Sequence, residues 1–168
     1  MNKTARARNC RQVMASTLRD ATPSQSATTT DKRNRSLLKA FLGGKIDGRD
    51  FRHADHVRVA FEILCRYTFP DALAAYSAAL KDIAKRAGNP GAYHETITVA
   101  FLSLVAEHHA IGGYANFEAF IADNPQLLSK SILERWYKKE RLLSDVARKT
   151  FVMPEGDRLW PEPGSNKR

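Results

Sequence analysis

The consecutive stretches DALAAYSAALKDIAKRAG, residues 71–88, and NPGAYHETITVAFLSLVAEHHA, residues 89–110, decide the fold class of this chain. Both carry apolar residues three and four positions apart, which is the spacing of one face of an α-helix. In the first stretch these residues are Leu73, Tyr76, Leu80 and Ile83. In the second they are Ile97, Phe101, Leu104 and Val105. The Asn-Pro-Gly between them is a turn signal, so the sequence predicts two long helices, 70–87 and 93–110.

The same periodicity extends on either side of this pair. Residues 52–67 carry another helical stripe, and Pro70 suits the first turn of the helix that follows. Shorter helical segments are predicted at 36–44, 116–125, 129–140 and 142–151. No stretch keeps the alternation of a β-strand, so the predicted fold class is all-α, a single helical-bundle domain.

The three long helices are joined by connections of only three to five residues. Short connections favour antiparallel neighbours, so the predicted order of the long helices is up-down-up, with shorter C-terminal helices packed beside them. The first and third long helices then run in the same direction, and their N-termini lie at the same end of the bundle.

Two terminal segments differ in composition from this helical region. Residues 1–35 hold eight Lys or Arg against two acidic residues, which is +6 of the net charge of +9. They are also rich in Ser and Thr and show no apolar periodicity, so a disordered basic tail is expected. Residues 154–168, rich in Pro, Gly and charge, are expected to be extended or disordered, with Trp160 as a candidate anchor. The helical domain is therefore predicted over 36–153.

The charge and cysteine content restrict the classes of partner and location. A folded nucleic-acid binder concentrates basic charge on its domain, whereas only +3 lies outside the tail. Nucleic acid is therefore not expected as a partner, and no apolar run approaches the ~20 residues of a membrane span. Cys10 and Cys65 lack the spacing of a metal site or a disulfide framework, which favours a cytoplasmic location. The Arg-rich tail is also compatible with a mitochondrial presequence.

Three histidines begin helices that the predicted topology brings to one end. His53 and His56 open the 52–67 helix, and His94 opens the 93–110 helix. Neighbouring helix axes pack about 8–10 Å apart, a gap that two imidazoles can bridge. His108 lies roughly 21 Å further along the same helix than His94 and cannot join them.

Such a cluster suits one divalent metal ion, zinc or iron, with coordination positions left open for a ligand. Asp55 or Glu95 could supply a fourth group, and Glu95, next to His94 in the first helical turn, is the better candidate for a general base. The alternative is that the histidines are structural and cap helices or bond to each other and to backbone carbonyls.

The residues also resemble a family of small, uncharacterised all-helical bacterial proteins over roughly 51–154. The resemblance rests on F-x-H-x-x-H from Phe51, on G-x-Y-H-x-T-x-T from Gly91, and on the block LLSKSILERWYKKERLLSDVARKTFVMP. It implies that the three histidines belong to one site, with four companions: Arg135, Tyr137, Ser144 and Arg148. Arg135 would hold a carboxylate or phosphate. For Ser144 a helix cap, and for Arg148 an ion pair with Asp145, are the favoured interpretations. Arg52 stands where a small capping residue is expected.

Two functional hypotheses follow. The first is a small His-dependent, metal-assisted enzyme acting on a small polar or anionic molecule, with Glu95, Arg135 and Tyr137 as catalytic residues. The second is a non-catalytic helical binding or regulatory module whose histidines are structural. A small-molecule ligand is expected as a partner, and a concave polar pocket at the end of the bundle that holds His53 and His94 would distinguish the two hypotheses. The sequence does not specify the oligomeric state.

Overall fold

The computed structural model of the chain describes residues 35–154, and this region is all-α, as the sequence predicted. Within these residues there is no β-strand, and no helix is long and apolar enough to cross a membrane. The two predicted tails fall almost entirely outside the described region, and so do Cys10 and Trp160.

Seven α-helices occur between residues 35 and 154, and three of them are long. In chain order they are α1 (35–42), α2 (His53–Leu64), α3 (Phe69–Arg86), α4 (Glu95–Gly112), α5 (Phe117–Asp123), α6 (Lys139–Leu142) and α7 (Asp145–Lys149). Three 3₁₀ turns lie between them: Pro90–Ala92, Pro125–Leu128 and Ile132–Arg135. The predicted existence of the long helices is confirmed, with ends shifted by one to three residues.

The start of α2 is stabilised by a residue inside the helix. Arg52 occupies the N-cap position, and the sequence offers no small capping side chain there. The carboxylate of Asp55 instead accepts a hydrogen bond from the backbone N–H of Arg52 at 2.9 Å. A carboxylate in the first turn also interacts favourably with the helix dipole. Asp55 therefore stabilises the N-terminal end of α2.

A glycine with a positive φ follows the C-terminal end of two of the long helices. Gly88, after α3, has φ = +70°, and Gly113, after α4, has φ = +61°. These left-handed conformations cost glycine little because it has no Cβ atom. The chain can therefore reverse sharply at both positions and pack consecutive helices against one another.

The helix predicted over 129–140 does not form. Residues 132–135 form a 3₁₀ turn, and α6 is only four residues long. Long-range contacts outweigh the local helical preference: Tyr137 is buried, and its hydroxyl donates to the carbonyl of Val152 at 3.0 Å. The segment therefore follows the surface of the domain.

The core lies where α2 packs against α3 and α4. Aromatic rings link its ends: His53 contacts Phe101 with centroids 5.4 Å apart, and Phe61 contacts His109 at 5.2 Å. Phe61 also packs on Phe120 of α5 at 4.9 Å. The C-terminal helices close one side of this core, with α7 against α4.

A clasp formed by residues 148–152 holds the C-terminal segment to the start of α4. The Arg148 guanidinium donates to the carbonyl of Gly91 at 2.7 Å. The hydroxyl of Thr96, fully buried, donates to the carbonyl of Thr150 at 2.8 Å and accepts from the backbone N–H of Val152 at 3.1 Å. The end of the described chain therefore fixes the position of the α4 N-terminus.

Candidate functional site

A cavity of about 580 Å³ opens where the N-terminal ends of α2 and α4 meet the C-terminal half of α3. Phe51, Lys130, Ile132 and Leu133 also line it. Its volume lies within the roughly 300–1,000 Å³ of small-molecule sites. All three histidines singled out in the sequence, His53, His56 and His94, line this one cavity.

His53 is held by a backbone carbonyl. Its Nε2 atom lies 2.9 Å from the carbonyl oxygen of Leu127, which can only accept, so Nε2 carries the proton. The ring packs against Phe101. In the neutral imidazole this leaves the Nδ1 lone pair without a hydrogen-bond partner among residues 35–154.

His56 is half-buried against aromatic rings. Its ring centroid lies 4.3 Å from that of Phe51, and its Nδ1 atom is 3.4 Å from the hydroxyl of Tyr76. Burial, followed by the nearby charge of His53, lowers the pKa of His56 to about 4. The imidazole is therefore neutral at physiological pH and can act as a hydrogen-bond donor or acceptor but not as a cation.

His94 is the N-cap of α4. Its Nδ1 atom accepts a hydrogen bond from the backbone N–H of Ile97 at 3.3 Å, so the proton of the neutral ring is on Nε2. That Nε2 atom is buried and has no hydrogen-bond partner in the described part of the chain. Burial and the positive charge of Arg148 lower the pKa of His94, and the Leu142 carbonyl acts in the opposite direction.

The cavity thus brings the three histidines together, but two of them already use a ring nitrogen on the backbone. Across residues 35–154, no three His, Cys, Asp or Glu side chains are grouped closely enough to hold one metal ion. The predicted zinc or iron site at His53, His56 and His94 stays a prediction.

The other predicted catalytic residues do not line the cavity. Glu95 forms an ion pair with Lys81, with Nζ and Oε2 3.3 Å apart. Arg135 is exposed, with its guanidinium 5.7 Å from the ring centroid of Trp136. Tyr137 is buried and bonded to Val152. In this conformation all three have structural contacts, and their catalytic roles stay predictions.

Ser144 and Arg148 were given structural interpretations, and the observed contacts are structural. The Ser144 hydroxyl accepts from the backbone N–H of Ala147 at 3.2 Å and caps α7, as expected. Arg148 bonds to the carbonyl of Gly91, 57 residues away in sequence, where an ion pair with Asp145 was expected. Because Arg148 and Gly91 are far apart in sequence, local spacing could not predict this hydrogen bond.

The electrostatic character of the cavity comes from residues that carried no assigned role in the sequence. Lys130 and Arg49 line it, whereas no Asp or Glu of residues 35–154 does. The Arg49 guanidinium is paired with Asp47 at 2.8 Å, and Lys130 has no ion pair within the described region. Lys130 lies in the LLSK that begins the C-terminal block of the resemblance, so a signal was present, but nothing local placed it beside the histidines.

Comparisons with known protein families, with curated proteins and with solved structures found no match to this chain.

Proposed function

We propose that this protein binds a small organic anion in the cavity lined by His53, His56 and His94. The observation that carries the proposal is the composition of the lining: it holds Lys130, Arg49 and three histidines, and no carboxylate from residues 35–154. An anion entering it meets the ammonium group of Lys130 and no carboxylate side chain of residues 35–154. Of the two functional hypotheses from the sequence, this supports the binding module more directly than the enzyme.

The helix ends add to the same preference. The cavity is bordered by the N-terminal turns of α2 and α4, the ends at which the helix dipoles are positive. Their contribution is modest because Asp55 and His94 already accept from backbone N–H groups there. The full positive charge of Lys130 at the rim attracts an anion more strongly than these helix ends do.

We infer the up-down-up order of α2, α3 and α4 from matched contacts. His53 meets Phe101, and Phe61, eight residues later, meets His109, eight residues after Phe101. This correspondence supports α2 and α4 running in the same direction. The ion pair between Lys81, late in α3, and Glu95, first in α4, supports an antiparallel neighbour between them. The order matters because it puts both N-termini at the cavity.

A His-dependent enzyme is the second candidate. Its support is the contact of the His56 imidazole with the hydroxyl of Tyr76 at the wall of the cavity. Burial raises the pKa of Tyr76, which keeps its proton in place, and lowers that of His56, so the pair is neutral. In a metal-assisted version, His53 and His56 would supply the first two nitrogen ligands. Zinc and iron content of the purified protein tests that version directly.

The binding proposal is tested by thermal melts with a panel of small carboxylates and phosphates at neutral pH. A ligand at one hundred times its dissociation constant stabilises the folded state by about 2.7 kcal/mol, which raises the midpoint by several degrees. We expect at least one anion to stabilise the native chain and to stabilise the Lys130→Met variant less. If neutral and cationic compounds stabilise as well as anions, the electrostatic basis of the proposal is wrong.

A further inference from the structure

The floor and the mouth of the cavity differ in chemistry. The buried part of the lining is largely apolar: Ile83 is 7% exposed, and Phe101 and Leu133 are each 6% exposed. The exposed part of the lining includes the polar residues Arg49, Asn89 and Lys130. A ligand that fills this space would place apolar atoms inside and polar atoms outside.

The charge available at the mouth is small. Asp47 holds the Arg49 guanidinium through three hydrogen bonds of 2.8, 3.2 and 3.3 Å, so most of that positive charge is compensated. Lys130 is the lining cation that has no ion-pair partner among residues 35–154. One uncompensated cation balances one negative charge. A second negative charge on the ligand would meet no further unpaired cation among the lining residues of 35–154, and a buried ion without a partner of opposite charge loses its hydration without return.

We propose that the ligand is an amphipathic monocarboxylate, with its carboxylate at Lys130 and its apolar chain or ring on the floor of the cavity. This inference rests on the proposed anion-binding function and narrows it. It separates two groups of anions: medium-chain and aryl-substituted monocarboxylic acids on one side, and phosphates and short dicarboxylates on the other. The cavity volume of about 580 Å³ accommodates the first group.

Titration calorimetry on the full chain tests the ligand class. The probes are octanoate for a chain, 4-phenylbutyrate for a ring, 1-octanol for an uncharged match, and succinate and inorganic phosphate for the dianions. We expect octanoate or 4-phenylbutyrate to bind with one site per chain and more tightly than 1-octanol. Lys130→Met should weaken the carboxylate about two- to fivefold, as the loss of an exposed charge contact does, and leave 1-octanol unchanged. Lys139→Met is the matched control, because Lys139 is exposed on α6 and does not line the cavity.

A second pair of variants tests the floor. Ala84 lines the cavity, whereas Ala78, on the same helix, is exposed and does not. Ala84→Leu places three extra carbon atoms in the ligand space and should weaken octanoate at least tenfold, while Ala78→Leu should have no effect. Thermal melts of both variants establish that each is folded before binding is compared.

Three results would overturn the inference. If succinate or phosphate binds and the monocarboxylates do not, the ligand class is wrong although anion binding stands. Equal affinity for octanoate and 1-octanol, unchanged in Lys130→Met, would remove the role of the carboxylate. Failure of every anion to bind would overturn both this inference and the proposed function.

Discussion

The Nδ1 atom of His94 and the backbone N–H of Ile97 are joined by a hydrogen bond of 3.3 Å, and this bond begins α4. A histidine that the sequence offered as a metal ligand thus caps the helix that it precedes. The same bond fixes the proton of the neutral ring on Nε2, so the two nitrogens have different roles.

Replacing His94 tests this capping role. His94→Ala removes the acceptor and should lower the free energy of unfolding by about 1–2 kcal/mol, the usual effect of losing an N-cap at a buried position. His94→Asn keeps a capping oxygen and should lose less. Urea denaturation of the three proteins at pH 7.5 measures both differences. Equal stability of the alanine variant and the native chain would mean that the cap contributes nothing.

His53→Ala should also destabilise the fold, because it leaves the Leu127 carbonyl without its donor. An unsatisfied buried acceptor costs about 1–3 kcal/mol. His108→Ala is the control, since the His108 side chain makes no hydrogen bond or ring contact with the described residues and lies within α4, the helix that His94 caps. Urea midpoints should therefore fall for His53→Ala and stay unchanged for His108→Ala. A similar fall in both would indicate a general loss of helix stability.

Stability should fall as the pH is lowered from about 6.5 to about 4. The pKa of His56 is lowered from 6.5 to about 4 in the folded protein. Between these pH values the His56 imidazole is protonated in the unfolded chain but neutral in the folded chain, so acid favours unfolding. The contribution of His56 to the free energy of unfolding is therefore constant above pH 6.5. It decreases by up to about 3 kcal/mol as the pH falls to 4. His94 and His109, whose pKa values are also lowered, act in the same direction.

Urea denaturation at intervals between pH 7.5 and 4 measures this dependence. His56→Gln removes the titrating group and should flatten the curve over the same range. If the variant keeps the slope of the native chain, other groups cause the loss.

Arg148→Met should have two measurable effects. The loss of the bond to the Gly91 carbonyl should reduce the free energy of unfolding by about 1–2 kcal/mol. The loss of a positive charge should raise the pKa of His94, since that charge lowers it in the native protein. An NMR titration of the histidine ring protons measures the pKa. Lys149→Met, which removes an exposed neighbouring charge, is the control; a pKa shift as large in that variant would show that the effect is not specific to Arg148.

The long helices were predictable because their signals are local. Apolar spacing identified α3 and α4, and Gly88 and Gly113 marked their ends with backbone conformations that glycine adopts readily. The structure of the segment around Tyr137 was not predictable, because it depends on a hydrogen bond between Tyr137 and Val152, fifteen residues later. Local preference decides a structure where no long-range contact opposes it.

The candidate site was predictable in location but not in detail. Counting short connections led to a common end for His53, His56 and His94, and one cavity contains all three. Sequence spacing does not reveal which ring nitrogens bond to the backbone, as those of His53 and His94 do. It also could not place Lys130 at the rim, since the residues that line the cavity are spread along the chain from Gly48 to Leu133.

The clasp of residues 148–152 on Gly91 and Thr96 has a consequence for biosynthesis. Residues 130–133 and the clasp are made after α2, α3 and α4, so a nascent chain has its long helices before one wall of the cavity exists. Chains leave the ribosome N-terminus first, and exposed apolar surface promotes aggregation at this stage. A chain ending at residue 128 should therefore bind a hydrophobic dye more strongly than the full-length protein. The segment made after the long helices thus both completes the cavity and shields the core.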